Sequence, residues 1–337
     1  MTTLAGAATI QHPGDSADTL PFDYLRVSVT DRCQLNCTYC RPAQQATAEP
    51  AGEPLSSPQL ADCCAAICAA APVRKIRLSG GEPLLRPDLP QLIAALAALP
   101  GNPEITLTTN GVLLEQRAAE LFAAGLSRLN VSLDAAEGVA YERLTRRPAL
   151  DRVLRGLEAA HVAGFRGTKL NAVLLPSLGT RELRDLLAVA ADHGAMLRLI
   201  ELMPLGLEPA FYSAHFVPSK EAPARIARAA HTVSALPPDA ARTPHARLLA
   251  ALADGREVTV ELIAPMSRPF CGDCRRLRLS ADGQLIPCLL SPVRVPFVDD
   301  RQRPPDAPTV RAILRRCVAL KCRADDLSAQ RMWAIGG

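Results

Sequence analysis

The sequence predicts an α/β fold, an incomplete barrel of six βα units followed by a smaller C-terminal domain. Three observations lead there. Short β-like runs alternate with longer amphipathic stretches rich in Ala and Leu. Hydrophobic residues make up 48% of the 337 but aromatics only 4%, a composition that suits helices packed on parallel strands better than an all-β sandwich. The alternation ends after Leu202, where a stretch rich in Pro and Ala begins.

In chain order, the strands are expected at 25–30, 75–78, 104–108, 128–133, 169–175 and 197–202. Helices fall between them at 57–70, 88–99, 114–124, 151–163 and 181–193. Ser57-Pro58 and Thr180 are suited to helix starts, and Gly125, Gly164 and Gly194 to helix ends. Six strands, each followed by a helix or a long crossover, read as a (β/α)6 TIM-type barrel, two units short of the full eight. Residues 204–256 show only helix fragments. Beyond them a strand at 257–263 precedes a hairpin: 276–280, an Asp282-Gly283 turn, then 284–288. The expected division is a flexible leader over 1–20, the barrel over 21–235 and a C-terminal domain over 236–337.

Composition narrows the function classes. A net charge of +4 is too small for a general nucleic-acid-binding face. No apolar run reaches about 18 residues, so no membrane-spanning helix is expected. The first 20 residues lack the basic region and apolar core of a secretory signal, which places the chain in the cytoplasm. There, eleven cysteines, an odd number and clustered, indicate metal or redox chemistry rather than disulfides.

Directly after the first strand come Cys33, Cys37 and Cys40, spaced Cys-x3-Cys-x2-Cys, on the face where α/β barrels carry their chemistry. Three thiolates bind three irons of a cubane cluster and leave the fourth iron open. Zinc is the alternative, but it wants a fourth Cys or His nearby, and the next histidine is His161. After the second strand comes Ser79-Gly80-Gly81-Glu82-Pro83. Two glycines let backbone carbonyls approach a ligand closely, and the carboxylate offers a counter-charge to an ammonium.

A second triad, Cys271, Cys274 and Cys288, has the spacing Cys-x2-Cys-x13-Cys. Zinc competes more strongly here, with Cys317 or Cys322 available to close the site; otherwise a second cubane with an open iron is expected. Arg276 and Arg278, two apart on a strand, share one face beside this triad and suit an anion.

The first triad, with Tyr39 before its last Cys, and the Gly-Gly-Glu element resemble those of the radical S-adenosylmethionine (SAM) superfamily. Within it, the chain resembles the GTP 3′,8-cyclases over about residues 21–337. The matching segments are Leu25-Arg26-Val-Ser-Val-Thr-Asp, Lys75-Ile-Arg77-Leu-Ser-Gly-Gly-Glu-Pro, Thr108-Thr-Asn-Gly, Asn130-Val-Ser132-Leu-Asp, Lys169-Leu-Asn, Arg198-Leu-Ile-Glu-Leu-Met203-Pro and the terminal Gly336-Gly337.

The resemblance implies a barrel of the radical SAM class with a C-terminal iron–sulfur domain. It implies two [4Fe–4S] clusters, one on each triad, with SAM on the open iron of the first. One electron then breaks a C–S bond of SAM to give a 5′-deoxyadenosyl radical. That radical takes hydrogen from C3′ of GTP, and C3′ bonds to C8 of the guanine. Reduction gives (8S)-3′,8-cyclo-7,8-dihydroguanosine 5′-triphosphate, the first step of molybdenum cofactor biosynthesis.

Tyr39, Gly81, Ser132 and Met203 match SAM-binding positions. Arg26, Arg77, Thr108, Lys169, Arg198, Arg276, Leu277 and Arg278 match GTP-binding positions. Arg26, Arg276, Arg278 and a Gly336-Gly337 tail reaching into the active site match catalytic ones. Also implied are an electron donor such as flavodoxin or ferredoxin and delivery of product to cyclic pyranopterin monophosphate synthase. Neither nucleic acid nor membrane is an expected partner, and a homodimer is compatible with the resemblance.

Two positions depart from the family pattern. Arg275 stands where Asn is usual after Cys274, which bears on hydrogen bonding around the second cluster. Ser79 stands where Thr is common and keeps the hydroxyl. Cys63, Cys64 and Cys68 lie on an expected helix and read as small buried hydrophobes. Two rival readings stay open at this stage: another radical SAM enzyme with an auxiliary cluster, such as a peptide-modifying maturase, and a zinc-binding scaffold without catalysis.

Overall fold

In a computed structural model of the chain, the described residues are 20–40, 53–237, 245–269, 271 and 274–321. All six expected strands form: β1 (Tyr24–Ser28), β2 (Lys75–Ser79), β3 (Glu104–Thr109), β4 (Arg128–Ser132), β5 (Lys169–Leu174) and β6 (Met196–Glu201). So do the expected helices α1 (Ser57–Ala70), α2 (Leu89–Ala97), α3 (Leu114–Ala123), α5 (Leu150–Ala163) and α6 (Thr180–Asp192). A short α4 (Gly138–Thr145) joins them after β4. Helix α1 starts at a capping box in which Ser56 receives the Gln59 N–H and Gln59 reaches back to Ser56.

The stretch after β6 is more ordered than the sequence suggests. It holds α7 (Pro209–His215), α8 (Ala222–Ala229), β7 (Thr232–Leu236) and β8 (Ala246–Ala251). Then come β9 (Glu257–Ile263), β10 (Arg276–Leu279), β11 (Gln284–Ile286), β12 (Val295–Pro296) and α9 (Ala307–Ala319). The expected hairpin is present, with Arg278 opposite Ile286 and Leu279 opposite Leu285.

The strands form one mixed sheet in the order β12-β11-β10-β1-β2-β3-β4-β5-β6-β9-β8-β7. Its central run from β10 to β9 is parallel throughout. The C-terminal segment thus extends the barrel sheet at both edges, and the expected boundary between residues 235 and 236 falls inside β7.

Strand alternation sorts the side chains onto two faces. Leu25 and Val27, Ile76 and Leu78, Ile105 and Leu107, Leu129 and Val131, Leu170 and Ala172, and Leu197 and Leu199 are buried in one apolar core with the helices. The other face carries polar residues, and the sheet wraps around it. His245, just before β8, is lowered by burial, raised by Glu261, and lowered again by Arg276, Arg198 and Lys169. Arg276 on β10 and Arg198 on β6 are six strands apart, which in a flat sheet would be about 29 Å. Only a curved sheet lets one imidazole sense both.

A candidate active site between two cysteine triads

Cys33, Cys37 and Cys40 follow the C-terminal end of β1 on a loop fixed from two sides. The Asn36 and Thr38 N–H groups donate to Thr145 and Leu144 at the end of α4, at 3.0 and 2.9 Å. Gly81 N–H donates to Thr30 O, and Glu82 N–H to Arg32 O, both at 2.7 Å. A methyl group on Gly81 would lie 2.2 Å from Arg32 O, so this close approach requires glycine. Over the loop lies a small apolar group formed by Tyr39, Leu175, Leu202 and Leu207, with Phe211 and Tyr212 of α7 against it. The Tyr39 hydroxyl donates to Asp134 at 2.5 Å, and Asp134 accepts the Val173 N–H at 2.7 Å.

The three thiols are half-buried and sense one another. Burial pushes the Cys37 thiol well up, and Cys40, Asp134 and Cys33 push it further. Asn110 Nδ2 donates to Cys33 Sγ at 3.6 Å. Among the described residues no three His, Cys, Asp or Glu side chains form a ready site for a single metal ion. One zinc ion, with Zn–S of about 2.3 Å, gathers its sulfurs tightly, whereas a cubane holds them at separate corners. Three thiols on one loop, dry on one side and cradled by glycine on the other, fit a cluster that keeps one iron open.

The second triad is at the other end of the strands. Cys274 precedes β10, which runs parallel to β1, and Cys288 follows the antiparallel β11. Here the thiolate is favoured: burial raises Cys274, but Lys321, Arg276 and Arg278 bring it below its ordinary value. Lys321 Nζ donates to the Cys274 carbonyl and sits 4.9 Å from the centre of the Phe22 ring. Cys317, offered by the sequence as a fourth ligand, is fully buried in the apolar core with its thiol pushed up to about 12. Cys322 lies outside the described residues. Arg275 turns away and pairs with Asp23 at 2.9 Å.

Between the triads runs the polar face. In register across the sheet stand Arg278, Arg26, Arg77, Thr106 and Arg128; one layer below are Arg276, Tyr24, Lys75 and Glu104. Toward the first triad come Thr108, Asn130 and Lys169, then Ser132, Asn171, Arg198 and Glu261. Glu104 pairs with Lys75 and Arg128, and Arg198 pairs with Glu261. Among the residues just named, eight basic side chains thus meet two carboxylates. Arg26 is held well below its ordinary value by burial and by Arg278, and Arg278 is lowered to about 10 by burial and Arg276. Thr108 Oγ1, Asn171 Oδ1 and the Tyr24 hydroxyl are buried without a hydrogen-bond partner. Crowded cations and unsatisfied polar atoms fit an anionic ligand.

The structure therefore brings Arg26, Arg77, Thr108, Lys169, Arg198, Arg276 and Arg278 to one interior, with Ser132 near the first triad and the half-buried Met203 just after β6. Two expectations change. Leu277 points the other way, 1% exposed within the apolar core, because it alternates with Arg276 and Arg278. Glu82 does not face an ammonium. It is wholly buried, and its carboxylate accepts from Thr109 Oγ1 at 2.6 Å, Asn110 N at 2.7 Å and Leu84 N at 3.0 Å. Gly336 and Gly337 lie outside the described residues.

Sequence reading missed Tyr24 and Lys75, although each stands two residues before a matched arginine, and strand parity would have found them. It gave no role to Asp134, although that residue closes a matched segment, or to Glu261; their partners lie 95 and 63 residues away.

Comparison with known proteins agrees with this geometry. The profile of the Radical SAM superfamily matches residues 27–190, and that of Molybdenum Cofactor Synthesis C matches residues 195–326. The GTP 3′,8-cyclase of Rhodopirellula baltica is 37% identical over 322 residues, 94% of this chain and 89% of that protein. The GTP 3′,8-cyclase of Moorella thermoacetica is 38% identical, covering 89% and 91%. That of Mycobacterium sp. strain KMS is 42% identical, covering 79% and 75%. Among solved structures, Streptococcus suis SuiB bound to the precursor peptide SuiA superposes with a TM-score of 0.57 at 13% identity. That match takes in 80% of this chain and 60% of SuiB, so the chain spans about three-fifths of that structure. The same protein bound to S-adenosylmethionine gives 0.56 at 14% identity, covering 87% and 69%. At such identities the likeness concerns the fold alone.

Proposed function

The chain belongs to the GTP 3′,8-cyclases of the radical SAM superfamily, and from that premise we propose how its residues divide the reaction. It is a radical SAM lyase that cyclises GTP to (8S)-3′,8-cyclo-7,8-dihydroguanosine 5′-triphosphate, the first step of molybdenum cofactor biosynthesis. Its cofactors are a [4Fe–4S] cluster and SAM.

In our reading Cys33, Cys37 and Cys40 hold that cluster, and Cys271, Cys274 and Cys288 hold a second [4Fe–4S] cluster. When bound, the first cluster and SAM supply the radical chemistry that removes hydrogen from C3′ of GTP. The protein's own part is positioning. Gly81, Ser132, Met203 and the Tyr39 segment line the SAM side. Arg26, Arg77, Thr108, Lys169, Arg198, Arg276 and Arg278 take GTP on the polar face, where the triphosphate offsets the excess of basic groups. Leu277 contributes through its backbone only. The apolar cover from Tyr39 to Phe211 keeps water from the first triad, which protects a reactive intermediate. Arg26, Arg276, Arg278 and the Gly336-Gly337 tail act closest to the reacting nucleotide.

The observation that carries this reading is the excess of basic side chains on one interior face, flanked by a cysteine triad at each end. We extend it to a homodimer. We further propose flavodoxin or ferredoxin as electron donor and cyclic pyranopterin monophosphate synthase as consumer of the product. No helix among the described residues is long and apolar enough to cross a membrane, and we place the enzyme in the cytoplasm. The test is anaerobic reconstitution with iron and sulfide, then dithionite, SAM and GTP. Formation of 5′-deoxyadenosine with cyclised GTP is expected; SAM cleavage without loss of GTP would remove GTP as the substrate.

A further inference from the structure

Tyr24 is absent from every motif named above, yet it stands at the centre of the cation cluster. It opens β1, beside Arg276 on one strand and Lys75 on the other. Three cations surround its ring: Arg77 Cζ at 5.4 Å, Lys75 Nζ at 5.7 Å and Arg276 Cζ at 5.9 Å from the centroid. Its hydroxyl is buried and has no hydrogen-bond partner. These cationic neighbours are donors only: guanidinium and ammonium groups accept nothing. What the phenol lacks is an acceptor, and the side chains crowded around its ring do not provide one.

We propose that Tyr24 is a binding residue for the phosphate chain of the nucleotide, its hydroxyl donating to a phosphate oxygen while its ring keeps Lys75, Arg77 and Arg276 spread around that anion. This rests on the reading of the interior as a GTP site. Phosphate oxygens are acceptors only, so they complete the phenol and neutralise the cations together. The surroundings strengthen the donor. Burial alone would raise the phenol, but Arg77, Arg26, Arg276 and Lys75 hold it below its ordinary value. In the free protein the orphaned hydroxyl is a cost, recovered on binding.

The test uses the reconstituted enzyme and two probes, GTP and inorganic tripolyphosphate, with guanosine as the control. Tyr24→Phe keeps the ring and its cation contacts but removes the donor. Dissociation constants for GTP and tripolyphosphate should rise about tenfold, in line with a hydrogen bond to a charged group, and that for guanosine should not move. Without nucleotide the variant should melt no lower than the wild type, since the lost hydroxyl had no partner. Tyr24→His, which restores a donor, should recover part of the affinity. Equal binding of both phosphate probes by wild type and Tyr24→Phe overturns the inference, as does a loss confined to guanosine, which would move Tyr24 to the base. A wild-type enzyme that binds neither GTP nor tripolyphosphate overturns the GTP reading itself, a different result from the preceding two.

Discussion

Replacing Gly81 with Ala tests whether this glycine holds the first cysteine loop in place. The new Cβ would meet backbone, not flexible side chains: Arg32 O at 2.2 Å, Arg32 C at 2.5 Å and Asp31 O at 2.7 Å. Relief requires the segment 30–32 to move away by about 1 Å, since non-bonded carbon and oxygen do not approach below about 3 Å. That motion stretches the two bonds that tie the segment down, Gly81 N–H to Thr30 O and Glu82 N–H to Arg32 O. Losing both costs about 2 kcal/mol, and residual strain brings the total to about 3 kcal/mol, or a melting point lower by about 5 °C. Cys33 follows Arg32 directly and moves with it. A misplacement of that size lowers the rate of SAM cleavage by about 100-fold. The assay is 5′-deoxyadenosine formation by reconstituted Gly81→Ala, with iron content and melting point measured on the same sample. SAM cleavage within about twofold of the wild type would refute the reasoning, even if the melting point fell.

Other substitutions probe the buried charges and thiols. Burial raises Glu82 to about 7, although Asn110, Thr109 and Leu84 donate to it, so the folded state favours the neutral acid. Its contribution of about 3 kcal/mol is present below the unfolded carboxyl value and is lost as pH rises through 7. Denaturant unfolding from about pH 5 to about pH 8 should show this fall in the wild type and a flatter profile in Glu82→Gln. Arg275→Asn should leave activity within about twofold, because Arg275 is half exposed and paired with Asp23; a larger change would place it at the cluster. Cys288→Ala should lose about four irons per chain and Cys317→Ala none. Equal iron loss in both would make Cys317 a ligand.

Much of the fold was legible because each barrel strand has the same two-residue alternation, and the apolar half of it is long enough to mark a core. Arg26 between Leu25 and Val27, and Arg77 between Ile76 and Leu78, mark a polar face opposite the apolar one on each strand. The legible part of the site was the part written in single segments: the two triads, the double glycine and the strand cations. Pairing between distant segments was not. Nothing near β10 says that it lies against β1, some 250 residues earlier, and so completes the cation layer with Arg276 and Arg278. Glu82 was misread because its three donors come from two separate places, Thr109 at the end of β3 with Asn110 just after it, and Leu84 in its own turn. The burial of the Leu277 side chain in the apolar core was not legible from its matched position alone, because a match in a strand does not say which way the side chain points.

In the proposed arrangement one interior holds GTP against the SAM side of the barrel, with the phosphates on the cations and the ribose toward the first triad. GTP deuterated at C3′ tests it most directly in the reconstituted enzyme. The deuterium should appear in 5′-deoxyadenosine, and cyclised product should form with it. Unlabelled 5′-deoxyadenosine would show that the hydrogen comes from elsewhere and would contradict the placement of the substrate.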